Sequence, residues 1–231
     1  MKIRAKYTKL GYLKYLSHLD LVRLFSRSLI RSDIPVRYSE GFNPHPKLSL
    51  GNPLPLGIES VSEYFDVELT QRMELNEFNN RLNKVLPIGI KIIESKEIDE
   101  FTPSISSTIC ISEYEISADV INSREVIDYS NEIDKLLNLT NIDIEKKKKK
   151  GKSKVTTKVN IRPFILKLFV DDVNDNSIKL RSVVMTGEKG NVKPSELLEV
   201  ISKNTNMKLD LDSMNVRKIA SYTNEFGEYN E

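Results

Sequence analysis

The segment Ser39–Gly57, SEGFNPHPKLSLGNPLPLG, holds four prolines and three glycines in nineteen residues. Proline fixes φ and has no amide hydrogen to donate, so neither a helix interior nor a central strand runs through this stretch. Pro44, Pro46, Pro53 and Pro55 also push Asn43, His45, Asn52 and Leu54 toward extended conformations. A stiff, largely extended path is expected, with Leu48, Leu50, Leu54 and Leu56 anchoring one side to a core. Gly41, Gly51 and Gly57 permit sharp turns or close approach of another backbone.

The patterning on either side of this path predicts regular structure. Ile3 to Lys9 alternates apolar and polar residues, as a strand does, and Gly11 turns it into a second short extended piece, Tyr12 to Leu16. Ser17 and Asp20 have the spacing of a capping box, which predicts a helix from about His18 to Arg31. On that helix Leu21, Val22, Phe25 and Leu29 share one arc, and Arg23, Arg27 and Arg31 share the other. Three arginines at this spacing repel one another unless an anion lies among them. Tyr64 to Leu69 alternates strictly, with Phe65, Val67 and Leu69 on one face. A helix follows from Leu75 to Val85, with Phe78, Leu82 and Val85 inward, then a strand from Ile90 to Ser95. The order strand, helix, strand, strand, helix, strand is that of a split βαβ unit.

The order then repeats. Strands are predicted near Ile109–Ser117, Asn141–Lys149, Val155–Val170 and Ile178–Met185, and a last one near Val216–Tyr222. Helices are predicted near Ser123–Leu137 and from Pro194, a favoured first helical residue. The fold class expected is therefore α+β, as two tandem ferredoxin-like domains: residues 1–98, a linker at 99–107, and 108–231 with a basic hairpin. The run Glu145–Lys154 is expected to form a mobile hairpin tip, because five consecutive lysines cannot all be buried.

Charge is unevenly distributed although the net value is only +2. Residues 1–50 carry ten Lys or Arg against three Asp or Glu, and residues 146–193 carry fourteen against four. Two separated basic regions point toward a polyanion partner. No apolar run reaches the roughly 18 residues a membrane-spanning helix needs, and no signal peptide is evident, so a cytoplasmic location and no membrane partner are expected. The lone Cys110 excludes an intrachain disulfide and is expected to be a small buried hydrophobe. His18 and His45, with Asp20 or Glu40, make an incomplete zinc set without metal-binding spacing, and no phosphate-binding glycine motif occurs; no metal or cofactor is expected.

The proline-rich path carries the most suggestive chemistry. Phe42 is suited to stacking on a base, although burial in the core is the favoured expectation for it. Asn43 is suited to reading a base edge, and His45 and Lys47 to contacting phosphate. His18 and His45 are also candidates for an acid/base pair in RNA cleavage, although sequence spacing does not bring them together.

Three runs in the first half closely resemble the radical-SAM-linked family, a bacterial domain of unknown function found alone or fused behind a cobalamin-binding radical SAM domain. They are Ser17-His18-Leu19-Asp20, the Gly41-Phe42-Asn43-Pro44-His45-Pro46 run, and Leu54-Pro55-Leu56-Gly57 with Ser60 and Glu63. Arg162-Pro163, Lys193-Pro194 and Arg217 extend the resemblance into the second half. The resemblance implies a radical SAM partner enzyme, because one cysteine cannot supply the three that hold such an enzyme's cluster. The function expected is an accessory protein that handles the substrate of that enzyme and binds RNA (tRNA, rRNA or a ribonucleoprotein). Arg23, Arg27, Arg31, Phe42, Asn43, His45, Lys47, Lys146, Lys147 and Lys148 are the candidate contacts. Two alternatives stand beside it: an RNA-processing or RNA-modifying enzyme acting alone through His18 and His45, and a protein-docking module that binds no RNA.

Overall fold

A computed structural model describes residues 1–121, 127–150, 153–174, 176–187 and 190–223, with the backbone alone at 147–150 and 153–155. The architecture is α+β: a mixed sheet and five α-helices among the described residues. The chain divides into two compact units. The first comprises Met1–Cys110 with the end of the last strand from Arg217, and the second is Ile111–Val216.

The first unit contains β1 (Lys2–Lys9), α1 (His18–Arg31), β2 (Leu48–Leu50), β3 (Glu59–Glu68), α2 (Leu75–Val85), β4 (Ile92–Ile98) and α3 (Ile105–Thr108). β1 lies between β4 and β3 and is antiparallel to both. The outer edge of β3 pairs antiparallel with β2 through Phe65–Val67 and parallel with the end of the last strand at Glu59 and Ser60. α1 forms where expected because its signals are local. The Ser17 hydroxyl accepts from the Asp20 amide at 3.2 Å and donates to the Asp20 carboxylate at 2.6 Å. The apolar arc then buries Leu21, Phe25 and Leu29. Tyr7, Phe25 and Phe65 form an aromatic cluster in this core, with centroids 4.7 Å apart for Tyr7–Phe25 and for Phe25–Phe65. Such a pair adds about 0.5–1.5 kcal/mol beyond its buried area.

Two local expectations change. Gly11–Tyr15 is a 3-10 helix and not an extended piece, because Gly11 sits at φ +60° and turns the chain away from β1. The stretch 99–107 is tied down. Arg4 donates to Asp66 at 2.7 and 3.0 Å and to the Pro103 carbonyl at 2.9 Å, while Asp66 accepts from the Ile105 amide. Both charged groups are buried, so their attraction is little screened and α3 is held against the sheet.

The second unit runs β5 (Ile109–Val120), α4 (Tyr129–Leu137), β6 (Asp143–Lys150), β7 (Ser153–Asn160), β8 (Ile165–Val173), β9 (Ser177–Met185), α5 (Pro194–Asn204) and β10 (Leu209–Thr223). Its strands order as β10-β5-β9-β8, with β6 and β7 forming a separate antiparallel hairpin. The strand expected over Val155–Val170 is broken in two. Pro163 cannot donate to a ladder, and Arg162–Phe164 forms a 3-10 turn in which the Arg162 guanidinium binds the carbonyls of Leu137 and Ile165. Lys146–Lys150 lie within β6 rather than in a loop. The hairpin tip, 151–152, and the start expected for the helix at 123 lie outside the described residues.

Candidate nucleic-acid interface

Arg23, Arg27 and Arg31 recur every four residues on α1, so the helix period alone places them on one face. Together they line an open groove whose walls are apolar: Leu16, Leu24 and Ile30 on one side and Val85 and Pro87 from the end of α2 on the other. The three arginines differ in what they already bind. Arg23 pairs with Asp20 at 3.3 Å. The Asp20 carboxyl is held below its ordinary pKa, first by the Ser17 hydroxyl and then by Arg23. Arg31 donates to the Val85 carbonyl at 2.9 Å and the Ser28 hydroxyl at 3.3 Å, so it also closes the exposed carbonyl end of α2. Arg27 is exposed and makes no hydrogen bond or ion pair among the described residues. Among the described residues Asp20 is the one carboxylate lining the groove, and it pairs with Arg23 alone.

The 39–47 loop is closed at its base. The Ser39 hydroxyl lies 2.9 Å from His45 Nδ1 and accepts from the His45 amide at 3.1 Å, and the Ser39 amide donates to the His45 carbonyl at 2.8 Å. A bridge between Tyr38 and Pro46 continues this clasp, and Gly41 turns the tip at φ +117°. Phe42 is fully exposed at that tip and not in the core, since the clasp directs residues 40–44 away from the sheet. Asn43 and His45 are exposed beside it. Of the leucines expected to anchor the path, Leu50 is buried, whereas Leu56 faces solvent.

Several candidates are committed elsewhere. Lys47 lies 3.3 Å from Glu68, which also pairs with Arg37 at 3.5 Å. Lys146, in the second unit, donates to the Asn191 carbonyl at 2.7 Å and pairs with Glu196 at 3.4 Å, which anchors β6 to the first turn of α5. The side chains of Lys147 and Lys148 lie outside the described residues. His18 opens α1 and His45 closes the loop clasp; no hydrogen bond joins them among the described residues. No group of three or more His, Cys, Asp or Glu among the described residues is placed to hold a metal ion. No helix of the described residues is long and apolar enough to cross a membrane.

A second cluster carries residues of the family resemblance, and it is structural. Lys9 is wholly buried on the core side of β1 and donates to the Leu16 carbonyl at 2.9 Å. Glu63 accepts from the Ser60 hydroxyl at 2.8 Å and pairs with Lys218 at 2.7 Å, with all of these groups buried. Burial lowers the Lys9 pKa, and Glu63 works against that shift. Burial, and then Glu63, push the Tyr7 hydroxyl well above its ordinary pKa. At the rim Glu59 accepts from Arg217 at 2.8 Å and from the Gly11 amide at 2.9 Å, which holds its carboxyl below the usual range.

These features define an α+β protein with an arginine-bearing helix face and a clasped loop that presents an exposed aromatic. The chain belongs to the family described as "uncharacterized protein conserved in bacteria (DUF2344)", whose model matches residues 2–194. A comparison with curated proteins finds no match. Among solved structures, the chain is similar to one in "Crystal Structure of a Cbf5-Nop10-Gar1 Complex", with a TM-score of 0.53 and 9% identity over 96% of this chain and 50% of that one. It also matches one in "Structure of H/ACA RNP bound to a substrate RNA containing 2'-deoxyuridine", with a TM-score of 0.49 and 10% identity over 98% of this chain and 49% of that one. The chain thus spans about half the length of these matched chains, and the first likeness speaks to the fold alone.

Proposed function

We propose that this protein is an accessory RNA-binding protein that presents tRNA, rRNA or a ribonucleoprotein to a radical SAM enzyme. The observation that carries the RNA part is the α1 face, where Arg23, Arg27 and Arg31 line one groove with Asp20 as the only carboxylate in its lining among the described residues. Arg27 supplies an uncommitted phosphate contact, and Arg23 gains one by releasing an exposed ion pair that is itself worth little. Phe42 offers a stacking surface on a loop already ordered by its Ser39–His45 clasp, which reduces the entropy lost on binding. The radical SAM partner rests on the sequence resemblance; this sequence holds one cysteine of the three such a cluster needs. Both units have the connectivity of a split βαβ unit, with the fourth strand beside the first and the third between first and second. This supports tandem ferredoxin-like domains, the β6–β7 hairpin being an insertion in the second.

The test is binding of the purified chain to total bacterial RNA at low and moderate salt, with Arg23→Ala/Arg27→Ala alongside. Counterion release predicts that affinity falls steeply with salt and that the double variant has a shallower slope, by about 2 for two phosphate contacts. RNA binding that ignores both salt and the substitutions overturns the proposal. Capture of a partner enzyme that survives nuclease, with no RNA binding at all, favours the docking alternative, for which the apolar walls of the same groove are the relevant feature.

A further inference from the structure

The other face of the first unit's sheet, opposite the aromatic core, is not flat. Strand register brings two rungs together there: Lys6 of β1 lies between Glu94 of β4 and Tyr64 of β3, and Arg4 lies between Lys96 and Asp66. Directly paired residues point to the same side of a sheet, so these six form one floor. A cavity of about 250 Å³ opens over five of the six, all but Asp66, with Ile105 and Ile109 on its apolar side and Ser221 and Thr223 from the end of β10 also in the lining. One side of it is tied down by the buried Arg4–Asp66 pair, which also engages the Pro103 carbonyl and the Ile105 amide.

We propose that this cavity is a binding site for a single nucleotide carrying an amino-bearing base. Its volume lies below the range of about 300–1,000 Å³ typical of drug-sized clefts, which suits one base with its phosphate rather than a larger cofactor. Lys6 Nζ lies 5.9 Å from the centroid of the Tyr64 ring, so an ammonium and an aromatic surface converge on one space. That is the pairing a phosphate joined to a flat base requires. Lys6 makes no ion pair among the described residues; its ammonium stands over the Tyr64 ring, a long contact that an anion entering the cavity can share. Lys96 adds a second positive charge to the lining. Among the described residues Glu94 is the only carboxylate in that lining, and a carboxylate accepts from an exocyclic amino group as it does from cytosine N4. The site therefore favours cytosine, adenine or guanine over uracil. It uses none of the arginines of α1, so only its extension to a nucleotide of bound RNA rests on the reading above.

The test titrates CMP, UMP and cytidine into the full chain and follows amide and tyrosine resonances by NMR. The wild type, Lys6→Gln, Glu94→Gln and Tyr64→Leu are compared, each with a spectral dispersion that reports an intact fold. CMP is expected to saturate with shifts at Tyr64, and cytidine to bind about tenfold more weakly for want of the charged contact. Lys6→Gln should weaken CMP several-fold toward the cytidine level and leave cytidine unchanged, while Glu94→Gln should abolish the preference for CMP over UMP. Absence of saturable CMP binding up to about 10 mM, weaker than any useful site, overturns the proposal. So does CMP binding that is unchanged in both Lys6→Gln and Tyr64→Leu. CMP binding without RNA binding keeps the cavity and removes the RNA platform; salt-sensitive RNA binding without CMP binding does the reverse. Where both bind, displacement of RNA by CMP identifies a nucleotide of the RNA as occupant, and simultaneous binding identifies a free mononucleotide.

Discussion

Replacing Asp66 by alanine should be among the most damaging single changes on the polar side of the first sheet. The carboxylate accepts from Arg4 Nε at 2.7 Å, from Arg4 Nη2 at 3.0 Å and from the Ile105 amide at 3.1 Å. The side chains of the ion pair are only 7% and 4% exposed, so water cannot replace the lost partner. Asp66→Ala leaves a buried guanidinium with the Pro103 carbonyl as its remaining hydrogen-bond partner among the described residues, and the Ile105 amide of α3 without its acceptor. Removing one partner of a buried pair costs about 3–5 kcal/mol, a range that contains the orphaned amide's share. At about 2–4 °C per kcal/mol for a chain of this size, the melting temperature should fall by about 6–20 °C. The double variant Arg4→Met/Asp66→Leu removes both charges while keeping most of the volume, and should recover much of that loss, the remainder being the unpaired Ile105 amide and Pro103 carbonyl. Urea unfolding of the three chains decides the matter. An Asp66→Ala loss below about 1 kcal/mol, the worth of an exposed pair, or a double variant as unstable as the single one would show that burial of this pair does not carry the effect.

Other substitutions separate structural from surface roles. Arg31→Ala should lose about 1–2 kcal/mol in urea melts, because the Val85 carbonyl at the end of α2 loses a charged donor, whereas Arg27→Ala should change stability by less than about 0.5 kcal/mol. Phe42→Ala should likewise leave the melting curve within about 0.5 kcal/mol of the wild type, since the ring is fully exposed, and a larger loss would mean that it packs against the fold. Gly89→Ala should be strongly destabilising by thermal melt: φ is +101° and a Cβ would stand 2.6 Å from the Leu10 carbonyl oxygen. For Lys9 the folded pKa is lowered, so the unfolded chain binds the proton more readily and stability rises with pH below the ordinary lysine value of about 10.4. Denaturant melts as the pH is raised toward about 10 should show that rise in the wild type and a smaller one in Lys9→Met, with Tyr7 common to both. Glu63 and Lys218 face the same cluster in both chains, so the difference between the two profiles isolates Lys9.

What the sequence by itself determined was whatever depends on neighbours a few residues apart. The bounds of α1, α2 and the Pro194 start of α5 were legible because caps, proline and apolar period act within two turns of helix. The alternation of Phe65, Val67 and Leu69 likewise assigned a core face, and all three are buried. The arginine face of α1 was legible for the same reason, since spacing on one helix places the three side chains together. Their inequality was not, because the Val85 carbonyl that engages Arg31 is 54 residues away. Phe42 shows the limit most clearly: hydrophobicity argues for burial, and only the Ser39–His45 clasp turns the ring outward. Lys47 and Lys146 read as unpaired charge until packing brings Glu68 and Glu196 to them. The cavity over Lys6, Tyr64 and Glu94 had no local signature at all, because it depends on the register of β1 against β3 and β4. Registers are set by which apolar faces can be buried together, a condition that the folded chain satisfies as a whole and that no short stretch of it states.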